Sequence, residues 1–251
     1  MPMQRQCKIV QNSRLNPYAV SMVLEVGEMV PGTGQFLHIK CGDGQLLRRP
    51  ISICDWQEGL LRIVFEVRGE GTAWLAERRR GEYLDVLGPL GHGFETNAKG
   101  RYLLVGGGIG IPPLLGCARN ASGNCTAVLG FRSGDRAMLL GEFASCCASV
   151  RVASDDGSMG VRGFVDQVAR EILETDRDFT AVLACGPRPM LKSVAQLARE
   201  FGVPCKVSME ERMGCGVGAC LVCACDMADG TRKHVCKDGP VFDAEEVDWD
   251  A

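Results

Sequence analysis

Four cysteines constrain this chain more than any other feature: three in Met213-Gly-Cys-Gly-Val-Gly-Ala-Cys-Leu-Val-Cys223 and one at Cys236. Cys215, Cys220, Cys223 and Cys236 read C-x4-C-x2-C-x12-C, the plant-type spacing for a [2Fe–2S] cluster. One tight loop then supplies three thiolates and a separate segment the fourth, while Gly214, Gly216 and Gly218 let backbone close in around the sulfides. Two plainer readings use the same residues: a zinc knuckle, which usually shows two C-x2-C pairs, and reduced cysteines holding no metal. Cys225 falls on the same strand face as Cys223 and competes with it as third ligand; the x2 gap favours Cys223.

At 251 residues the chain has room for two modest domains and a small module. A hydrophobic content of 46% with 24% charged residues describes an ordinary globular protein, and a net charge of −3 gives no reason to expect nucleic acid. No apolar run reaches transmembrane length, and the opening Met-Pro-Met-Gln-Arg-Gln-Cys lacks the apolar core of a signal peptide. Among the 14 cysteines, Cys7, Cys41, Cys54, Cys117, Cys125, Cys146, Cys147 and Cys205 sit in apolar segments, as buried free thiols do, without the spacing of a disulfide framework. A cytoplasmic protein with no membrane association is expected.

Short strand-like runs at 6–10, 19–26, 35–40, 50–54, 60–67 and 83–87, parted by turn signals such as Pro31-Gly32 and Gly81, predict an antiparallel barrel. Thr72 is expected to cap a short helix over 73–79. Arg48-Arg49-Pro50-Ile51-Ser52-Ile53 puts cations, a rigid proline and a hydroxyl on one extended segment. Alternation sends Pro50 and Ser52 to one face and Arg49 and Ile51 to the other. Gly69-Glu70-Gly71-Thr72 leaves a strand and opens a helix, a place that favours a phosphate. Each signal alone also fits a commonplace strand start or turn. The stretch 88–94, Gly-Pro-Leu-Gly-His-Gly-Phe, reads by default as a linker, with the domain boundary at 98–101.

Beyond Arg101, strands at 102–105, 126–131, 150–153, 180–184 and 205–208 alternate with helices at 113–120, 137–146, 161–173 and 190–201, which predicts a parallel sheet with right-handed crossovers. Gly106-Gly107-Gly108-Ile109-Gly110 turns the first strand into its helix but fails the G-x-G-x-x-G test, because Ile111 stands where the last glycine belongs. Ala184-Cys185-Gly186-Pro187 ends a later strand, where glycine leaves room for a flat ligand; Cys185 equally reads as a buried thiol with no role. A hairpin of 225–227 with 233–235 is expected across Asp229-Gly230. The fold class is therefore a β-barrel, then an α/β domain, then a small cysteine module, divided at 1–98, 99–208 and 209–251.

The order of these motifs resembles the ferredoxin reductase superfamily and, within it, the electron-transfer subunits of NAD-linked dihydroorotate dehydrogenase B. The match is carried by segments 49–53, 88–94, 106–113, 154–160 (Ser-Asp-Asp-Gly-Ser-Met-Gly), 184–191, 208–223 and 236–242 (Cys-Lys-Asp-Gly-Pro-Val-Phe). The resemblance implies FAD on the barrel, lined by Arg49, Pro50, Ile51 and Ser52, with Gly71 and Thr72 on its pyrophosphate. Val64, Phe65 and Glu66 would lie against the flavin, Glu66 standing where such chains often carry arginine. Gly107, Gly108 and Gly110 would face NAD, with Cys185 and Gly186 near the nicotinamide. NAD exchanges two electrons as a hydride and a [2Fe–2S] cluster one at a time, so a flavin belongs between them.

Nothing here looks like a dihydroorotate pocket, so the resemblance implies an FMN-containing catalytic partner that interconverts dihydroorotate and orotate for pyrimidine biosynthesis. A rival on the same plan is a subunit of a sulfide dehydrogenase or NADH-dependent ferredoxin:NADP reductase. Those chains often place an aspartate among the cluster ligands. A stand-alone oxygenase reductase usually carries a longer separate ferredoxin module. A zinc-stabilised binding module is the alternative outside redox chemistry.

Overall fold

Alternating inward and outward side chains make the amino-terminal strands one wall each of a closed barrel. The computed structural model describes residues 3–251; Met1 and Pro2, part of the opening stretch read above, lie outside the described residues. Strands β1 (Met3–Arg14), β2 (Ala19–Glu25), β3 (Phe36–Ile39), β4 (Arg49–Gln57), β5 (Leu60–Glu66) and β6 (Tyr83–Leu90) close in the order β1-β2-β5-β4-β3-β6, all pairs antiparallel. In β6 every second residue is buried, as a pleated strand with one wet face requires. Leu37, Ile39, Ile51, Ile53, Ile63, Phe65, Leu84 and Val86 fill the interior.

Helix α1 (Glu70–Ala76) follows β5. It starts earlier than the sequence suggests: Gly69 is the N-cap, and Thr72 sits in the first turn. The Thr72 hydroxyl reaches back and accepts the amides of Arg68 (2.9 Å) and Gly69 (3.1 Å), the reciprocal half of a capping box.

The second unit is the expected parallel α/β layer. Its strands are β7 (Tyr102–Gly107), β8 (Gly123–Phe131), β9 (Cys147–Ser154), β10 (Val161–Arg162), β11 (Ala181–Cys185) and β12 (Cys205–Ser208). Its helices are α2 (Pro112–Asn120), α3 (Leu140–Cys146), α4 (Val165–Thr175) and α5 (Arg188–Phe201). Every residue of β7 and β11 is buried, which is what helices on both faces of a parallel sheet impose. Leu104, Ala127 and Leu129 pack with α2 and α3, while Leu103, Val105 and Val128 pack with α4 and α5.

Two helices of this unit start later than expected. The predicted helix 161–173 splits into β10 and α4, because Gly160 and Gly163 take φ of +65° and +132° and keep the segment out of helical geometry until Val165. The predicted helix 137–146 begins at Leu140, after a single 3-10 turn at Gly134–Arg136 and left-handed Leu139.

The last segment contributes a hairpin, β13 (Ala224–Asp226) with β14 (Arg232–His234), and a strand β15 (Val241–Asp243). β15 adds antiparallel to β12, so the parallel sheet runs β10-β9-β8-β7-β11-β12-β15. The stretch 88–94 is not a free linker. β6 extends to Leu90; the His92 amide then donates to Gly239 O (2.6 Å), and His92 O accepts the Val241 amide (3.3 Å). The two glycine-rich motifs read separately in the sequence thus clasp the cysteine segment to the barrel.

Candidate functional site

Between Met213 and Cys223 the chain has no regular structure, so its amides are available to other acceptors, and they take the cysteine sulfurs. Cys215 Sγ accepts the amides of Val217 (3.4 Å) and Ala219 (3.2 Å); Cys220 Sγ accepts that of Cys215 (3.4 Å). Cys236 Sγ accepts the amide of Gly218 (3.1 Å), and Cys223 Sγ that of Cys236 (3.4 Å). All four sulfurs predicted as ligands are therefore amide acceptors, the arrangement that stabilises thiolate over thiol.

The Cys215 thiol lies against that of Cys220 and the Cys236 thiol against that of Cys223, with Cys215 also near enough to act on Cys236. No group of three or more ligand-type side chains converges on one point among the described residues. Four thiolates, two for each of two irons, are what a [2Fe–2S] cluster needs, and four amide-bonded cysteines at C-x4-C-x2-C-x12-C spacing fit that group.

Burial pushes the Cys215 thiol up, but hydrogen bonds from the Val217, Cys220 and Ala219 amides and the Cys220 thiol outweigh it and bring Cys215 down to about 6. Cys236 is pushed up to about 12, first by burial and then by the neighbouring Cys223 thiol. Metal loading would therefore have to displace a proton there. The rival third ligand is turned away: Cys225 Sγ points to Lys233 O (3.4 Å) and Met227 Sδ (3.9 Å) in the apolar core.

The barrel segment faces this loop through β3 and β4. Pro50 and Ser52 pair with His38 and Phe36; directly opposed residues share a face, here the outer one. Ile51 and Phe65 point into the barrel and leave only backbone for an external ligand, so their side chains are not brought to the site. Arg49 escapes over the barrel end, where its Nε lies 2.6 Å from the place a Cβ on Gly71 would occupy. A side chain here would force the guanidinium to move. Arg49 and the head of α1, each a weak signal alone, thus form one corner with a cation and helix amides that have no intrahelical acceptor.

Glu66 is committed to ion pairs with Arg68 (2.8 Å) and Arg136 (4.0 Å). It accordingly fixes the cation of Arg68, which the sequence reading did not single out, at the end of β5, while the Arg68 amide bonds the Thr72 hydroxyl. Val64 packs outward, in the apolar cluster shared with α2.

The nucleotide-side residues also converge. Cys185 pairs with Gly106 across β11 and β7, and the turn Gly108–Gly110 packs on β5. Cβ atoms placed on Gly107 and Gly186 would meet Met190 Sδ at 2.5 Å and Met190 Cε at 2.6 Å, so side chains at either position would displace Met190 and narrow this floor. Burial pushes the Cys185 thiol up to about 12, which makes it a neutral wall rather than a nucleophile.

His38 is the residue the sequence reading missed. It is wholly buried, its Nδ1 sits 2.7 Å from where a Cβ on Gly216 would be, and neither ring nitrogen has a hydrogen-bond partner. Burial and then the Arg48 charge hold its pKa below the ordinary value, against a smaller upward pull from the nearby Cys215 and Arg48 backbone. The available signal was its place in Phe36-Leu-His-Ile39, where alternation puts it on the outer face with Phe36.

Comparison with known proteins adds the following. The family described as the iron-sulfur cluster binding domain of dihydroorotate dehydrogenase B matches residues 210–248. The dihydroorotate dehydrogenase B (NAD(+)) electron transfer subunit of Caldanaerobacter subterraneus subsp. tengcongensis is 39% identical over 98% of this chain and 99% of its own. That of Geobacillus thermodenitrificans is 46% identical over 85% and 86%. A solved NADH-dependent reduced ferredoxin–NADP oxidoreductase superposes with a TM-score of 0.86 at 35% identity, covering 97% of this chain and 90% of that one. A flavohemoglobin from Malassezia yamatoensis, at 23% identity and a TM-score of 0.65 over 80% and 57%, shares the fold.

Proposed function

The chain belongs to the family of dihydroorotate dehydrogenase B electron transfer subunits, and from that premise we propose that it relays electrons between NAD(H) and a catalytic partner by way of FAD and a [2Fe–2S] cluster. The observation that carries this is the set of four amide-bonded thiols packed against the outer barrel face that bears Pro50 and Ser52.

Cys215, Cys220, Cys223 and Cys236 would hold the cluster. Pro50, Ser52 and Val64 would border the flavin, with Ile51, Phe65 and Glu66 adding backbone or indirect support. Arg49, Gly71 and Thr72 would take its phosphates. Gly107, Gly108, Gly110, Cys185 and Gly186 would form the floor for NAD(H). The flavin, when bound, supplies the exchange between hydride pairs and single electrons that neither neighbour can make.

The partner on this reading is an FMN-containing dihydroorotate dehydrogenase subunit. The exposed apolar side chains of Val217, Leu221 and Val222 beside the thiols support docking at the cluster loop. The units 1–98, 99–208 and 209–251 serve FAD, NAD and cluster respectively. A cytoplasmic location is supported by the many buried free thiols; no helix among the described residues is long and apolar enough to cross a membrane.

The test is the visible spectrum of anaerobically purified protein before and after NADH. Flavin bands with a red-brown cluster shoulder, both bleached by NADH, are expected; a colourless protein, or one that ignores NADH, overturns the relay. The corner at α1 has its own test. Arg49→Ala should weaken FAD about 10- to 100-fold, the worth of a charge-assisted hydrogen bond of about 1.5–3 kcal/mol. Thr72→Val, which loses only a cap of about 1 kcal/mol, should weaken it less. Both variants purifying with full flavin would remove the barrel assignment.

A second reading is favoured by one observation, the superposition on the NADH-dependent reduced ferredoxin–NADP oxidoreductase. The spectra would not separate the two. Electron delivery from dihydroorotate through an FMN partner, against delivery from a partner that uses NADP(H), would. Four cysteines at the ligand positions, with no aspartate among them, support the dihydroorotate system.

A further inference from the structure

His38 is a neighbour of both halves of the proposed relay. It stands directly across β3 from Pro50, on the outer face of the barrel, and its ring lies against Gly216 in the middle of the cysteine loop. The side chain is 0% exposed, and among the described residues neither ring nitrogen meets a partner in hydrogen-bond geometry, although the Cys215 and Arg48 backbone approaches the ring. Leaving such a group unsatisfied costs about 1–3 kcal/mol, and a buried leucine would avoid that cost at similar volume. The strand is held in place: Arg48 donates to His38 O (3.3 Å), to Asp85 O (3.0 Å) and to both Asp85 carboxylate oxygens (3.0 and 2.9 Å), tying the ring's backbone to β6. The loop side is equally fixed, since Gly216 has φ +76° and leaves no Cβ between its backbone and Nδ1. A rigid, buried polar ring is thus aimed at a loop in which the amides of Cys215, Val217, Gly218 and Ala219 all run to cysteine sulfur.

On the cluster reading given above, we propose that His38 supplies a ring N–H to the loaded [2Fe–2S] site and thereby sets its reduction potential. The five N–H···S contacts already present come from backbone and are removed only by proline, which also changes the backbone. His38 adds a side-chain donor from a different unit, the barrel. Donors to cluster sulfur stabilise the reduced, more negative state, so each one raises the potential. The same ring would fix the distance between the cluster loop and the flavin segment, because it fills the space between Gly216 and the face that Pro50 shares.

The test uses the purified holoprotein, reduced chemically rather than by NADH, with iron content, the EPR signal and the midpoint potential of the cluster as readouts. His38→Leu keeps the volume and removes the N–H; His38→Asn keeps an N–H near the Nδ1 position. The expected result is a lowered cluster potential and altered EPR g-values in His38→Leu, both moved back toward wild type in His38→Asn. Unchanged potential and g-values in His38→Leu overturn the proposal. Equal shifts in both variants also overturn it, because packing rather than the donor would then be at work. Should His38→Leu fail to load iron, loading restored in His38→Asn supports the donor role, and failure in both overturns it. Altered flavin bands with an unchanged cluster signal overturn it too, assigning the ring to the flavin. A wild-type protein without iron would instead sink the cluster reading itself, a result seen before any variant is made.

Discussion

Cys220→Ser is expected to strip the protein of its iron and sulfide and abolish the cluster absorption, while flavin remains bound. Cys220 is the suitable ligand to remove because its side chain is exposed, whereas Cys223 and Cys236 are buried. Replacing a buried ligand would confound ligation with packing. Its sulfur accepts the Cys215 amide and meets the Cys215 thiol, so the loop loses weak local contacts and no core volume. Losing a ligand outright should exceed the roughly 10- to 100-fold cost of losing a supporting partner of a metal site. Cys225→Ser supplies the contrast. It places a hydroxyl in the apolar core beside Met227 and Lys233 O, at about 1–3 kcal/mol of stability, yet iron and sulfide should stay. Iron and sulfide assays on the two variants decide the matter: full iron in Cys220→Ser, or its loss in Cys225→Ser, would overturn the ligand assignment.

The cysteine set was legible because its constraint is local. Three cysteines within nine residues, Cys215 to Cys223, stay close together whatever the rest of the chain does. The barrel strands were legible for a similar reason: alternation in β6 and in Arg49–Ile53 reports which side faces the interior. What alternation does not report is what covers the other side. His38 and Phe36 share an outer face with Pro50 and Ser52, but only the folded chain brings Gly216 onto it. The clasp of His92 on Gly239 and Val241 joins residues far apart in sequence, each in a motif that reads alone as a turn. Glu66 was legible as a departure from arginine, and illegible as the partner that places Arg68, because both an exposed strand end and an ion pair satisfy the same residues. Helix starts slipped where glycine decided them, at Gly163 and at Gly69, since sequence shows that φ can be unusual there without showing that it is.

The glycine turn after β7 yields the second large effect. Gly110→Ala is expected to slow NADH-dependent bleaching about 100-fold while leaving flavin and cluster content, and their chemical reduction, unchanged. A Cβ on Gly110 would lie 2.3 Å from Cys185 O and 2.4 Å from Cys185 C. Backbone cannot swing aside as a side chain does, so the ends of β7 and β11 must part. They are held by continuous parallel pairing from Ala181 with Tyr102 to Cys185 with Gly106, which confines the movement to the turn and to Gly186. Overpacking of this kind costs about 1–3 kcal/mol, too little to unfold a typical domain. A displacement near 1 Å of groups that position a reactant can nonetheless cost about 100-fold in rate. Gly108→Ala separates space from backbone strain: nothing lies within 4 Å of its Cβ, but φ is +54°. That conformation costs an alanine about 1–2 kcal/mol without pushing on Cys185, so bleaching should slow far less than in Gly110→Ala. Stopped-flow reduction by NADH against reduction by dithionite reads the difference directly. If Gly110→Ala is reduced by NADH at the wild-type rate, the floor formed by Gly107, Gly110 and Cys185 does not position the nicotinamide. If dithionite reduction is lost as well, the substitution has damaged the cofactor sites and the turn has a structural role only.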